Sequence, residues 1–254
     1  MINKRLIGVI TVKDDIAVQS FGYNKYLPLG SPEIIAKNLD RWGADEILIN
    51  VIDRSINKYG PDFDLLKKIQ KIQINTPLIY GGGISNLEDA KRVINSGADR
   101  VLIENLLYED FISFKKISHL LGAQALIISV PVSSDFNKNI LQFNYLKKTS
   151  NKINKNFLSA LNQKLVSEIL LIDYINEGYD NSFNLDILNF DNHGISLLCF
   201  GGIKDNMLIN KILSNKKVAA IAIGNSLNYS EIKIQNIKKT ITKNIFRKPI
   251  YKIS

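Results

Sequence analysis

The chain is nearly devoid of cysteine and histidine: Cys199 is its one cysteine, and His119 and His193 are its two histidines, in 254 residues. A lone cysteine excludes an internal disulfide framework and fits a reducing compartment. Its place in the apolar run Ser196-Leu-Leu-Cys199-Phe200 predicts a small buried hydrophobe rather than a nucleophile. Neither histidine has a second His or a Cys at metal-ligand spacing, so no metal and no cofactor is expected. No apolar run approaches the roughly 20 residues of a membrane span. The opening Met1-Ile-Asn-Lys-Arg-Leu leads straight into a strand-like run rather than a signal peptide, which predicts a cytoplasmic location and no membrane partner. Lys and Arg outnumber Asp and Glu by 33 to 24, a net charge of +9, but no nucleic-acid motif accompanies them. The densest basic group, Lys233 to Lys252, reads as a solvated helix face and tail. The surplus leaves room for anionic substrates or an acidic partner protein.

Two stretches organise the rest. Thr76-Pro-Leu-Ile-Tyr-Gly81-Gly82-Gly83-Ile84 and Ser196-Leu-Leu-Cys-Phe-Gly201-Gly202-Ile203 are both apolar runs stopped by glycines, and helix-like segments follow at Asn86 to Ser96 and Asp205 to Asn215. Such runs read as buried parallel strands whose loops present bare backbone N–H groups, suited to a phosphate; tight strand-to-helix turns would use the same glycines. Gly82 and Gly201 lie 119 residues apart, and the same shift carries Arg5-Leu6-Ile7-Gly8 onto Gln124-Ala125-Leu126-Ile127. A shift of 122 carries Glu46-Ile47-Leu48 onto Glu168-Ile169-Leu170. A second half that replays the first predicts a duplicated half-barrel closing as a (β/α)8 TIM barrel, one domain over 1–254, a usual length for that fold.

In chain order, strands are expected at Arg5 to Val12, Glu46 to Ile52, the Thr76 stretch, Arg100 to Ile103, Ala125 to Val130, Glu168 to Ile172, the Ser196 stretch and Val218 to Ile223. Helices are expected after the Ser31-Pro32 cap, from Asp62 to Gln73 and from Phe111 to Leu121. The loop after strand one, through Tyr26-Leu-Pro28, is too long for a turn, and loops at strand C-termini build the active sites of such barrels. Ile140 to Leu146, inside an Asn- and Lys-rich segment, alternates like a hairpin arm. Lys13, Asp14, Asp53, Asp173 and Glu177 fall at strand ends where a substrate would lie, and each equally suits a cap or a solvated loop charge. Gly82, Gly83, Gly178, Gly201, Gly202, Gly224 and Asn225 are the candidate phosphate loops.

Lys4-Arg5-Leu-Ile-Gly-Val-Ile-Thr-Val-Lys13-Asp14, Trp42-Gly-Ala-Asp45-Glu46, Tyr80-Gly-Gly-Gly-Ile84, Gly97-Ala-Asp99-Arg100-Val and Gly122-Ala-Gln124-Ala together resemble the cyclase subunit of imidazole glycerol phosphate synthase, in order and over nearly the whole chain. The resemblance implies a barrel that takes ammonia from a separate glutaminase subunit at its N-terminal face, conducts it through the core and uses it at the C-terminal face. It also implies a ring of charges gating ammonia entry, matched by Arg5, Glu46, Arg100 and Glu168, with Arg at one position where Lys is usual; ion pairs at barrel bottoms also serve stability alone. Asp99 matches a position facing the glutaminase. The cyclase chemistry departs from the pattern. The family's two catalytic aspartates, a general acid and base, align with Thr11 and Pro131, neither of which carries a proton near neutrality. Its phosphate-holding Asn-Thr pair aligns with Glu104-Asn105, where a carboxylate would repel phosphate, and an acidic residue at the end of strand two is replaced by Val51.

Loop one, Val18-Gln-Ser-Phe-Gly-Tyr-Asn-Lys-Tyr-Leu-Pro-Leu-Gly30, is similar to a branch of that family associated with acetamidino modification of sugars for surface polysaccharides. There the barrel passes ammonia to a separate sugar amidotransferase acting on a nucleotide sugar. The expectation is an ammonia-conducting subunit whose own cyclase chemistry is doubtful. The alternatives are a working cyclase using Asp14, Asp53 or Asp173, and a scaffold that only activates a glutaminase. The chain itself lacks the activated Cys–His pair of a glutaminase.

Overall fold

A computed structural model describes residues 4–229, 232–241 and 245–247. Its strands are β1 Arg5–Lys13, β2 Ile16–Phe21, β3 Lys25–Gly30, β4 Glu46–Val51, β5 Leu78–Gly81, β6 Arg100–Ile103, β7 Leu126–Ser134, β8 Ile140–Asn144, β9 Thr149–Asn151, β10 Glu168–Asp173, β11 Ser196–Phe200 and β12 Val218–Ile223. Eight of these, in the order β1-β4-β5-β6-β7-β10-β11-β12, pair in parallel, and β12 returns to β1. The sheet is therefore a closed eight-stranded barrel. Its helices are α1 Pro32–Trp42, α2 Arg54–Asn57, α3 Phe63–Lys71, α4 Leu87–Asn95, α5 Leu106–Glu109, α6 Phe111–Leu121, α7 Lys155–Asn162, α8 Asn206–Ser214 and α9 Lys233–Thr240.

Period-two alternation sorts each strand's side chains into two layers. Leu6, Ile10, Ile47, Ile49, Val101 and Cys199 join the larger cluster between sheet and helices. Ile7, Val9, Leu48, Leu170, Leu198, Ala220 and Ala222 fill the barrel's axis. Cys199 is fully buried, as its run predicts, and burial pushes its thiol pKa upward.

The internal repeat has a local physical cause. Gly82 and Gly83 (φ 125° and 72°) and Gly201 and Gly202 (φ 107° and 66°) leave β5 and β11, third strands of the two halves, in the same left-handed sequence. A Cβ on Gly82 would stand 2.3 Å from the Val51 carbonyl, and one on Gly201 2.5 Å from that of Asp173. Both glycines thus let the loop pass over the end of the preceding strand. The helices that follow start alike: the Asn86 side chain accepts from Asp89 N and the Asp205 side chain from Leu208 N, each capping an otherwise orphan donor.

Four expectations change. Loop one is a β-hairpin, β2 pairing antiparallel with both β1 and β3. Strand five extends to Ser134 and carries β8 and β9 as an antiparallel arm. The basic C-terminal segment is more than a solvated face. Within α9, Lys238 is buried, and its Nζ donates at 2.8 Å to Asp45 Oδ1 and at 2.8 Å to the Gly43 carbonyl. Burial lowers its pKa against Asp45's pull. Of the predicted Lys233 to Lys252 segment, 242–244 and 248–252 lie outside the described residues. Ser31 does precede α1, with Pro32 at its first position, but its side chain makes no capping bond.

Candidate functional site

At the N-terminal mouth, Arg5, Glu46, Arg100 and Glu168 open β1, β4, β6 and β10 and come together. Arg5 Nη1 donates to both carboxylate oxygens of Glu46 at 3.0 and 2.9 Å, and Arg5 Nη2 donates to Glu168. Arg100 Nη1 lies 2.5 Å from Glu168 Oε2 and 3.4 Å from Glu46 Oε1. Each guanidinium thus touches both carboxylates, and the charges alternate in a closed four-membered ring across the axis. Arg100 is held further by the Gln124 carbonyl and Ser167 Oγ. Burial raises the Glu46 pKa, opposed by Arg5 and Arg100. Immediately inward the axis becomes apolar at Ile7, Leu48, Ile127 and Leu170. Asp99 sits beside the ring, exposed, its carboxylate accepting from Leu78 N at 2.8 Å. It therefore tethers β5, just as Asp45 accepts from Leu6 N.

The C-terminal mouth holds a cavity of about 480 Å³ between the β2–β3 turn, the ends of β4 to β6 and the β8 arm. Gly82, Gly83, Glu104, Asn105 and Asp53 line it, with Tyr23, Tyr145 and Tyr174. Thr11 and Pro131 share the inward-facing parity of Ile7 and Ile127, so they carry a hydroxyl and a pyrrolidine ring into the barrel.

The three candidate replacement acids separate. Asp14 lies in the β1–β2 turn at φ 51°, its side chain 72% exposed and paired with Lys13 at 2.5 Å, outside the cavity. Asp173 is buried and committed: it accepts from Asn184 N, Asn176 N and Asn176 Nδ2 at 2.7, 3.3 and 2.8 Å, closing the loop after β10. Its pKa is raised by burial against those bonds. Of the three, only Asp53 lines the cavity; its Oδ2 accepts from Asp14 N at 2.9 Å, while Oδ1 is buried without a partner among the described residues. Glu177 is a latch for the hairpin. Its carboxylate accepts from Ser20 Oγ and Tyr23 N, and its carbonyl accepts from Gly22 N.

The second glycine group, Gly178, Gly201, Gly202, Gly224 and Asn225, borders a much smaller space of about 30 Å³. Backbone packs closely around these residues. Asn225 exchanges bonds with the Ser20 backbone at 3.2 and 2.7 Å, and a Cβ on Gly178 would meet the Ser20 carbonyl at 2.1 Å. At Gly178, Gly201 and Gly202 the close approach of neighbouring backbone is reason enough for glycine. On the cavity side, Ser55 Oγ already accepts from Gly83 N at 3.1 Å.

An ionised Glu104 would repel phosphate, but the structure changes its character. Burial raises its pKa to about 8, opposed by the Ser129 hydroxyl, so near neutrality it is mostly a carboxylic acid and bears little charge. No local sequence pattern marks the tyrosines beside it, because Tyr145 lies at the end of an arm placed by pairing of β8 with β7.

A family model described as histidine biosynthesis protein matches residues 5–233. The chain is similar to the imidazole glycerol phosphate synthase subunit HisF of Methanococcus vannielii, at 24% identity over 267 residues, 96% of this chain and 98% of that one. It is 23% identical over 241 residues to HisF of Parabacteroides distasonis, 94% of this chain and 96% of that one. With the subunit hisF2 of Vibrio vulnificus it shares 35% identity over 130 residues, 51% of this chain and 47% of that protein.

Proposed function

Since the chain belongs to the histidine biosynthesis protein family, among HisF-like subunits of imidazole glycerol phosphate synthase, we propose that it is the ammonia-conducting subunit of a glutamine-dependent amidotransferase system. A separate HisH-like glutaminase docks at the N-terminal face, near Asp99, and releases ammonia at the charged ring. The observation that carries this reading is the contrast along one axis. The four-membered ion ring is complete at the entrance, whereas Thr11 and Pro131 stand at the exit where the family's cyclase needs its aspartates. Between them the axis is lined by apolar side chains, a medium that favours neutral ammonia over ammonium.

The acceptor in this reading is a nucleotide sugar, acetamidino-modified by a separate amidotransferase during surface polysaccharide synthesis. Its support is the resemblance of loop one, Val18 to Gly30, folded here as the β2–β3 hairpin. The test is glutamine hydrolysis by the cognate glutaminase with and without this barrel, with ammonia escaping to bulk followed at the same time. Stimulated hydrolysis with acceptor-dependent retention of ammonia is expected. Stimulation with complete leakage indicates a scaffold, and rescue of a histidine auxotroph lacking its own cyclase subunit indicates a working cyclase.

A further inference from the structure

Among the described residues, eight buried side-chain nitrogen or oxygen atoms have no hydrogen-bond partner in the chain, and five of their residues line the C-terminal cavity: Tyr23, Asp53, Glu104, Asn105 and Tyr145. Buried polar groups are ordinarily satisfied, so such a concentration in one place has a chemical meaning. All five atoms are oxygens. The carboxyl oxygens of Asp53 and Glu104 and the amide oxygen of Asn105 await donors. The Tyr23 and Tyr145 hydroxyls lie close together and interact with each other, so the unmet capacity rests on the other three oxygens. The cavity wall thus offers acceptor oxygens at Asp53, Asn105 and, once it ionises, Glu104.

Its other surface is aromatic. The Tyr23 and Tyr145 rings lie 4.9 Å apart, Phe143 and Tyr145 5.0 Å, and Phe143 stacks on Tyr174 at 4.3 Å. Aromatic faces attract cations. The two lysines that reach the cavity stand at its rim. Lys13 is paired with Asp14 and lies over the Tyr26 ring, and Lys148 is exposed.

We propose that the cavity wall around Glu104 binds a small N–H-rich cation of the ammonium or amidinium and guanidinium kind. Such a ligand supplies several donors to the unpaired oxygens and a charge to the carboxyl group and ring faces. The proposal stands on the cavity and requires neither the glutaminase nor the conduit. Binding exchanges the Glu104 proton for the cation: the carboxylic acid releases H⁺ to solvent, and its carboxylate accepts the ligand's N–H bonds. The groups around Glu104 are Tyr23 from the hairpin turn, Tyr145 from the arm, Tyr108 from α5 and Ser129 from β7, with Asp53, Lys13 and Lys148 elsewhere on the cavity wall. Burial raises the pKa values of all three tyrosines and so keeps them neutral.

The experiment is calorimetric titration of the full chain with methylguanidinium chloride, ammonium chloride and urea at constant ionic strength. Methylguanidinium keeps its charge across the range, so its affinity is expected to rise ~10-fold from pH 7 to pH 9 as a carboxyl of pKa about 8 ionises. Urea, its neutral counterpart, is expected to bind at least ~10-fold more weakly at pH 9. Glu104→Gln, checked for folding by its thermal transition, is expected to lose both the affinity and its pH dependence. Tyr145→Phe keeps the carboxyl group and is expected to bind more weakly with the pH dependence intact. Tight ammonium binding at pH 7 assigns the site to the smaller cation, and methylguanidinium binding alone assigns it to the planar one; each supports the proposal. Equal affinity for urea, unchanged binding in Glu104→Gln, or no heat with any probe overturns it, and each of these outcomes leaves the conduit reading untouched.

Discussion

The two mouths of this barrel hold similar numbers of acidic groups and treat them in opposite ways. At the N-terminal mouth every carboxylate of the ring meets two guanidinium groups. At the C-terminal mouth, Glu104 and Asp53 each keep a buried oxygen with no partner among the described residues. A paired charge tolerates burial; for Glu104, burial outweighs its bond with Ser129 and pushes the pKa up to about 8. The first mouth is satisfied by the chain itself, and the second retains unmet hydrogen-bonding capacity for a ligand.

The largest test of the contrast is Glu46→Ala. It leaves Arg5 and Arg100 sharing one carboxylate in a largely buried ring, and roughly 3 kcal/mol of stability is expected to be lost in urea unfolding. Glutamine hydrolysis by a bound partner should then outrun ammonia use. Unchanged coupling in both Glu46→Ala and Arg5→Ala would reduce the ring to a structural device.

Glu104→Gln moves stability the other way. The folded-state pKa of Glu104 is raised, so its favourable contribution is complete below the usual carboxylate range near ~4.3 and disappears as pH rises towards about 8. Between pH 5 and pH 8 wild type should therefore lose stability relative to Glu104→Gln, by on the order of 2 kcal/mol once water in the cavity is allowed for. Parallel thermal-stability profiles for the two proteins would mean that the carboxyl group is ionised and satisfied after all.

Glu177→Ala removes the hairpin's latch, with an expected cost of about 1–2 kcal/mol. Amide exchange in Ile16–Phe21 should accelerate while β10 stays protected; protection unchanged in both segments would assign the hairpin's order to its strand pairing alone. Smallest of all is Asp14→Ala, within about 0.5 kcal/mol of wild type and without effect on ammonia transfer, because its side chain is exposed outside the cavity. Loss of transfer in this variant would restore Asp14 to the chemistry and break the distinction between the mouths.

The sequence by itself determined the barrel and the membership of the charged ring. Strand starts are marked by local patterns, and Arg5, Glu46, Arg100 and Glu168 open their strands, so parallel pairing alone brings them to one end. The 119-residue repeat was legible for the same reason: Gly82 and Gly201 meet the same backbone constraint in each half. Tertiary structure alone decided which acids face the cavity. Asp14, Asp53 and Asp173 look alike at strand ends. One turns out to solvent, one is consumed by backbone donors, and one retains an unpaired oxygen, according to loops whose paths depend on contacts across the barrel. The character of Glu104 was decided there too, because a carboxyl group's charge follows its surroundings, and Tyr23, Ser129 and Tyr145 reach it from three distant parts of the chain.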